Sequence, residues 1–415
     1  MVFSLSKGRD LIWNYVSILI MALGGLAFSV VIAFFYNVEI LGVFNRTYSY
    51  YIVLSQLSTC GLHMSVLKYV SDFRERKIEA DRILIAALIV VCVVSVAVVG
   101  CSALLVGSFA VAETRRLALM NILPALFFFS INKVLLNYLN ANVRMIPYAI
   151  FQGARNILIC AAIFMLALMK VDGCVLTFSF VLGEFFLFLF LAVYILLTQH
   201  VKLHRPKIDD FSKVFCFGIK ILPSNVVLEL NTKVDVICLG WILNDEAAIG
   251  VYSFVSLFSE GFYQIYMVLR RMINPYLFEW SSNLEKWKMN YRKIKNMCVF
   301  TAIPLCASVF LVYFLIVLML GKKVYMNGFT PLIILISSVA LNGLYIAYGN
   351  VMSQLGFPGR ESLANLVTVA CNFILNLVFI TYFGILGAAI ATGISYLCFS
   401  LFILVFIRKK ILWIK

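Results

Sequence analysis

Residues 218–255 read GIKILPSNVVLELNTKVDVICLGWILNDEAAIGVYSFV, a long apolar stretch with a short acidic turn near its end. The stretch is long enough to cross a bilayer as a helix, turn and start back, because a transmembrane helix needs about 20 apolar residues. Charged side chains are costly to place in lipid. The pattern therefore predicts a membrane helix with two polar faces turned to water or protein. One face carries Lys220 and Asp235, and the roughly opposite face carries Glu229 and Lys233.

The same pattern occurs at the start of the chain. A shift of about 208 positions places Gly-Val-Tyr at 250–252 on Gly-Val-Phe at 42–44, and the apolar run before it on 11–36. The sequence therefore predicts two copies of one membrane unit. Many transporters have repeated halves, with the substrate site between them near the membrane midplane.

Composition indicates the same class of protein. The chain is 63% hydrophobic and 13% charged, with a mean hydropathy of +1.00, whereas a soluble domain has about 25% charged residues. We therefore predict an all-α polytopic membrane protein. The eleven cysteines are scattered without a C-x-x-C pair, which favours neither a disulfide framework nor a metal site. The sequence predicts no metal and no cofactor.

The length rule predicts twelve transmembrane helices in two pseudo-symmetric six-helix lobes. The predicted N-terminal lobe covers 1–198, a cytoplasmic linker 199–214, and the C-terminal lobe 215–415. The predicted spans are 11–36, 41–67, 83–106, 117–140, 148–169, 174–198, 215–242, 248–275, 298–320, 328–352, 361–382 and 386–407.

The basic residues predict the orientation of these spans. With the N-terminus inside, 22 of the 34 Lys and Arg residues lie on the cytoplasmic side, five on the other side and seven within spans. Cytoplasmic loops carry an excess of Lys and Arg, so both termini are predicted in the cytoplasm. The same bias accounts for the net charge of +15 without nucleic acid as a partner.

Several cations lie within the predicted spans. Arg46 begins a polar stripe of helical spacing that continues through Ser49, Gln56, Cys60 and His63. Unpaired cations in a membrane cavity favour an anionic ligand, and phosphate or pyrophosphate suits Arg and Lys best. The alternative is that the polar stripes join helices to one another. The candidate substrate-binding residues are Arg46, Lys133, Arg155, Lys220 and Arg270.

Two of these assignments have specific alternatives. Arg270 lies near a predicted cytoplasmic end, from which its long side chain could reach the interface. Glu229 and Lys233 are four residues apart, a spacing that suits an ion pair within one helix. In the first predicted lobe, Glu184 is the only embedded acid.

Five short segments carry a resemblance to a known family. They are NVEILGVF at 37–44, its echo NDEAAIGVY at 244–252, DVICLG at 235–240, INP at 273–275 and GILGAAIAT at 384–392. In order and spacing, the chain resembles the O-antigen and capsule flippases (Wzx type) of the multidrug/oligosaccharidyl-lipid/polysaccharide exporter superfamily.

The resemblance implies a MATE-like fold that works by alternating access. It implies a substrate of undecaprenyl-pyrophosphate-linked oligosaccharide, moved between leaflets of a bacterial inner membrane, with a polysaccharide polymerase and a chain-length regulator as further partners. It also implies coupling to a sodium or proton gradient. The candidate coupling acids are Glu184, Glu229, Asp235 and Glu260.

Three other functions compete with this one. A lipid II flippase of the same superfamily usually has more than the twelve spans predicted here. A MATE-type drug exporter would place acids in the first lobe to attract organic cations, but this sequence places mainly cations there. A membrane enzyme would need a catalytic cluster on a sizeable aqueous loop, and the predicted loops are short and basic. The sequence therefore favours a flippase, with the drug exporter as the alternative.

Overall fold

The computed structural model describes residues 17, 20, 23–108, 112–199, 201–202, 204–281 and 283–409. These residues are almost entirely helical, which confirms the predicted all-α class. The chain divides into two compact units, unit 1 up to Leu230 and unit 2 from Asn231. The predicted lobe boundary at 199–214 stays a prediction. Most of the start of the first predicted span, 11–22, lies outside the described residues.

Unit 1 is built around helix α6. This helix packs against α2, α3, α4, α7 and α8, because apolar side chains such as Leu126, Val134 and Leu139 are buried on several of its sides. The helices of unit 1 are α1 (Leu23–Phe35), α2 (Val38–Thr59), α3 (Leu62–Asp72), α4 (Lys77–Ser108), α5 (Glu113–Ile122), α6 (Ala125–Ala141), α7 (Met145–Leu168), α8 (Ser179–Gln199) and the first part of α9 (Ile208–Ile242), with a 3-10 helix at Gly173–Phe178.

Unit 2 has α12 in the corresponding central place, packed against α10, α11 and α15. Its helices beyond α9 are α10 (Glu246–Ser281), α11 (Leu284–Leu320), α12 (Phe329–Ala347), α13 (Val351–Gln354), α14 (Pro358–Phe383) and α15 (Ile385–Ile407), with a 3-10 helix at Lys323–Gly328. Helices α9, α10 and α11 continue through an internal proline.

Nine helical segments within the described ranges are long and apolar enough to cross a membrane. They coincide with nine of the twelve predicted spans. Of the other three spans, 11–36 is described in part as α1, 41–67 corresponds to α2 and α3, and 248–275 lies within the 36-residue α10. The most apolar helices carry large exposed side chains, such as Phe300 and Met319 on α11, as expected where lipid is the solvent.

The second predicted span is not one continuous helix. Cys60 (φ 46°) and Gly61 (φ 66°) adopt left-handed backbone conformations that end α2 and begin α3. A Cβ on Gly61 would lie 2.3 Å from the carbonyl oxygen of Gly218 on α9. The break therefore lets two backbones approach closely, and Ser65 Oγ then donates to the Val214 carbonyl at 2.8 Å.

The start of the predicted repeat is present in the local structure of the two units. Helix α2 begins at Val38 and α10 at Glu246, the positions that the 208-residue shift matches. Asn37 Oδ1 accepts a hydrogen bond from Ile40 N at 3.0 Å. Asp245 Oδ1 accepts from Ala247 N at 2.9 Å. Both helices thus start with the same kind of side-chain cap.

Candidate functional site

The carboxylate of Glu184 lies at the centre of a buried polar cluster in unit 1. This side chain, on α8, is fully buried. Its Oε1 accepts from Arg155 Nε at 2.5 Å and its Oε2 from Asn132 Nδ2 at 2.9 Å. Arg155 is therefore an ion-paired residue, and the prediction that it is an unpaired cation is wrong. A buried carboxylate requires such partners, because an uncompensated charge in a protein interior is strongly unfavourable.

Lys133 and Arg155 share one aromatic ring. Lys133 Nζ lies 5.3 Å from the centre of the Phe129 ring, and Arg155 Cζ lies 5.0 Å from it. Cations are attracted to the face of an aromatic ring at such distances. Lys133 also interacts electrostatically with Glu229 of α9, and less strongly with Glu184. The cluster thus holds two cations and two acids.

The presence of Glu229 in unit 1 changes the predicted charge balance. The sequence placed α9 in the second lobe and left Glu184 as the only embedded acid of the first. In the structure, the first part of α9 belongs to unit 1, so Glu229 accompanies Glu184 there. The division between the two units falls within α9, which continues through Pro223 as one helix.

The polar stripe of Arg46 is buried in unit 1. Arg46 is 8% exposed and His63 is 6% exposed. The stripe extends over two helices rather than one, because α2 ends at Thr59 and His63 belongs to α3. Lys220 lies exposed on α9. The roles of these residues toward a substrate stay predictions.

A second polar cluster surrounds Asp235 in unit 2. The Asp235 side chain is 8% exposed, its Oδ2 accepts from Tyr252 Oη at 2.6 Å, and its Oδ1 accepts from Val236 N at 2.9 Å. It lines a cavity of about 180 Å³. The cavity brings together oxygen-bearing side chains from four helices, among them Asn231, Ser256, Glu260, Asn372 and Thr392.

Glu260 has a cationic partner beside this cavity. Lys233 Nζ lies 3.1 Å from Glu260 Oε1, which is a contact between α9 and α10. The four-residue spacing in the sequence predicts Glu229 as the partner of Lys233 and gives no indication of Glu260. Residues 27 positions apart on different helices cannot be paired from helical spacing alone.

Arg270 has partners of its own in unit 2. Its guanidinium donates to Asn350 Oδ1, and its Nη2 lies 3.8 Å from Glu361 Oε1. A Cβ on Gly349 would lie 2.7 Å from the guanidinium carbon, so the backbone packs directly on this group. The charge of Arg270 is therefore partly compensated within unit 2. Its predicted contact with substrate is untested.

Sequence reasoning missed several members of both clusters. Helical spacing does not indicate Asn132 and Phe129, because they lie off the predicted polar face of α6. It does not indicate Tyr51 of α2 either, whose Oη donates to Glu184 Oε1 at 3.5 Å. In unit 2, Tyr252 belongs to the predicted repeat and Thr392 to the segment at 384–392, and neither pattern indicates a binding site. Buried tyrosine and threonine have no distinctive spacing. An embedded asparagine beside a cation, as in Asn132-Lys133, was the one available signal.

The described residues form two helical units, each with charged side chains enclosed away from lipid, and this combination is typical of polytopic membrane transporters. A family model described as "Polysaccharide biosynthesis protein" matches residues 8–279. The chain belongs to this family, and the resemblance found in the sequence is confirmed at that level.

Individual relatives agree with this assignment. The chain is 26% identical over 207 residues to the probable low-salt glycan biosynthesis flippase Agl15 of Haloferax volcanii, a match that covers 47% of this chain and 41% of the relative. The matched region is thus less than half of that relative's length.

Solved structures show the same fold over nearly the whole chain. The lipid II flippase MurJ, in an inward closed conformation, aligns with a TM-score of 0.76 and 19% identity, covering 97% of this chain and 89% of that one. An inward-facing multidrug resistance MATE family transporter of the MOP superfamily aligns with a TM-score of 0.76 and 14% identity, covering 94% of each chain. The predicted MATE-like fold is confirmed.

Proposed function

We propose that this protein is a flippase that moves a lipid-linked glycan from the inner to the outer leaflet by alternating access. The proposed substrate is an undecaprenyl-pyrophosphate-linked oligosaccharide, an O-antigen unit or a similar repeat of a surface polysaccharide. Membership of the polysaccharide biosynthesis family supports this proposal, and so does the printed function of the Haloferax relative.

The geometric observation that carries the proposal is the pair of cations on the Phe129 ring. Arg155 is held by Glu184 at 2.5 Å, whereas the ammonium group of Lys133 lies against the Phe129 ring and interacts electrostatically with Glu229 and Glu184. A pyrophosphate would compete for Lys133, since phosphate oxygens form charge-assisted hydrogen bonds with an ammonium group. The two acids of this cluster are balanced by the two cations, so it offers an organic cation no net negative charge, and we favour the flippase.

The cavity around Asp235 is our proposed site for a coupling cation, sodium or a proton. A hard cation prefers oxygen ligands, and the lining includes the carboxylates of Asp235 and Glu260 with amide and hydroxyl groups of other helices. The donor set therefore fits a small cation. When bound, the cation would supply the gradient energy for the conformational cycle.

The location and partners of the protein follow from the proposed substrate. We propose a bacterial inner membrane, with both termini in the cytoplasm and with a polymerase and a chain-length regulator as downstream partners. No catalytic role is proposed.

The orientation is tested by fusions to alkaline phosphatase, which is active only outside the cytoplasm. Because 22 basic residues are predicted inside and five outside, fusions after Val171, Asp245 and Tyr325 should be active. Fusions after Glu75, Lys207 and Lys288 should be inactive. The reverse pattern would contradict both the topology and the proposed direction of transport.

Lys133→Met tests the contact with phosphate. The apolar stem remains to pack on Phe129, while the charge is lost. A hydrogen bond to a charged group contributes about 1.5–3 kcal/mol, so export of surface glycan should fall by at least about tenfold. The measurement is a gel of surface polysaccharide from cells in which the variant is the only copy.

Lys133→Arg is the matched control and should keep most of the export, because it preserves the positive charge. The membrane level of each variant is measured by immunoblot. If Lys133→Met supports the full polysaccharide ladder, Lys133 does not contact the substrate and its role is structural.

A further inference from the structure

A basic pocket lies at one end of unit 1, separate from the Glu184 cluster. Its volume is about 270 Å³. Among the described residues that line it, none is acidic. Three lining side chains are cationic and three are polar and neutral: Arg74, Lys77 and Arg144, with Tyr138, Asn142 and Gln199. The pocket is formed by the ends of α3, α4, α6, α7 and α8, next to loops that the charge count assigns to the cytoplasm.

Two of the cations are held by neutral acceptors. Arg74 Nε and Nη2 donate to the Ala141 carbonyl at 3.1 and 2.8 Å, and Lys77 Nζ donates to the Gln199 carbonyl at 2.7 Å. These carbonyls end α6 and α8, and a helix C-terminus carries only about half a negative charge. The contacts therefore fix both cations in place and leave the pocket with a net positive charge.

A buried acid close to the pocket, Asp81, already has hydrogen-bond partners. Asp81 lies behind the pocket, where its Oδ1 accepts from Tyr138 Oη at 3.4 Å and its Oδ2 from Lys202 N at 3.2 Å. It is 1% exposed. Its carboxylate thus orients Tyr138 and the 201–202 segment and does not line the pocket.

The third cation is presented by an unusual turn. Val143 has a φ of 57°, a left-handed conformation that is rare for a β-branched residue. The turn leads into α7, whose first residues have no side-chain cap. Arg144, which is exposed, directly precedes α7 and lines the same pocket as Arg74 and Lys77.

We propose that this pocket binds a phosphate group, supplied by the headgroup of an anionic phospholipid or by a free phosphate compound. Basic pockets between membrane helices on the cytoplasmic side suit anionic headgroups. Three cations, two of them fixed by carbonyl groups, surround one space. This arrangement matches a phosphate with several acceptor oxygens.

The test uses the full-length protein purified in detergent, with phosphatidylglycerol as the lipid probe, phosphatidylcholine as its zwitterionic reference, and inorganic phosphate as the free probe. Bound lipid is counted by native mass spectrometry, and phosphate binding is measured by calorimetry. Each cation near a membrane surface contributes about 1 kcal/mol. Lys77→Gln and Arg144→Gln should each weaken binding by about fivefold.

Arg76→Gln is the matched control, since Arg76 lies in the same loop, pairs with Glu79 at 3.1 Å and does not line the pocket. Arg144→Lys should retain binding. If Lys77→Gln unfolds because it uncaps α8, Arg144→Gln alone decides the result.

The outcomes separate the two sources of phosphate. If the variants lose binding of phosphatidylglycerol alone, the pocket binds a lipid headgroup. If they also lose binding of inorganic phosphate, a phosphate group by itself is sufficient for binding. Equal binding of both probes by wild type, the two pocket variants and Arg76→Gln overturns the proposal. The proposal is also overturned if the wild-type protein binds phosphatidylcholine as strongly as phosphatidylglycerol and does not bind inorganic phosphate.

Discussion

Glu184→Gln should destabilise unit 1 by about 3–5 kcal/mol. The substitution keeps the size of the side chain but removes the charge that compensates Arg155, and breaking a buried ion pair from one side has a cost of this order. The pair is short, at 2.5 Å, and Glu184 is fully buried. The measurement is the free energy of unfolding in detergent micelles. Glu39→Gln, on the exposed first turn of α2, is the control and should change stability by less than about 1 kcal/mol.

A double variant distinguishes the ion pair from simple packing. Glu184→Gln with Arg155→Gln removes both charges, so it should be more stable than either single variant. Strict additivity of the two single effects would show that the pair is not coupled. The cycle measures stability alone and therefore separates the structural role of Arg155 from its predicted contact with substrate.

Asp235→Asn should have the largest effect on transport. It removes one of the two carboxylates that line the 180 Å³ cavity while keeping its shape. Two unit charges about 4 Å apart interact by about 4 kcal/mol at an effective dielectric constant near 20, so cation affinity should fall by at least about 100-fold. The measurement is glycan flipping by the purified protein in liposomes, with and without a sodium or proton gradient.

Two controls accompany this variant. Asp209→Asn, at the exposed start of α9 where Asp209 pairs with Lys213 at 3.0 Å, should leave gradient-driven transport unchanged. Tyr252→Phe removes the 2.6 Å hydrogen bond to Asp235 but keeps the carboxylate, so it should reduce transport only modestly. If transport by the Asp235→Asn variant depends on the gradient as strongly as transport by the wild type, Asp235 does not couple transport to the cation. Glu229 would then be the next acid to test.

Candidate site residues could be found from the sequence, but their partners could not. Charged residues are rare inside membrane spans, so each one stands out in the sequence as a candidate. In the structure, the two clusters include or adjoin Asp235, Glu260, Lys133 and Glu184. The sequence predicts Arg155 to be unpaired. Helical spacing shows which side chains lie on the same face of one helix, but it does not show which face of a neighbouring helix they contact.

The helix break at Cys60–Gly61 has a similar explanation. The apolar run continues through 41–67, so hydropathy predicted one span. Glycine permits the left-handed conformation, but it does not require it. The break is stabilised by the close approach of Gly218, which is distant in the chain.

By itself, the sequence determined that this is a helical membrane protein of two repeated halves, and it indicated the polysaccharide flippase family. These properties depend on local quantities: apolar length, the distribution of Lys and Arg, and the spacing of short motifs. Only the tertiary structure decided that Glu184 holds Arg155, that Lys233 meets Glu260 and that Asp235 opens on an oxygen-lined cavity. Each of these joins residues of different helices, and their distances are set by how the helices pack and rotate against one another.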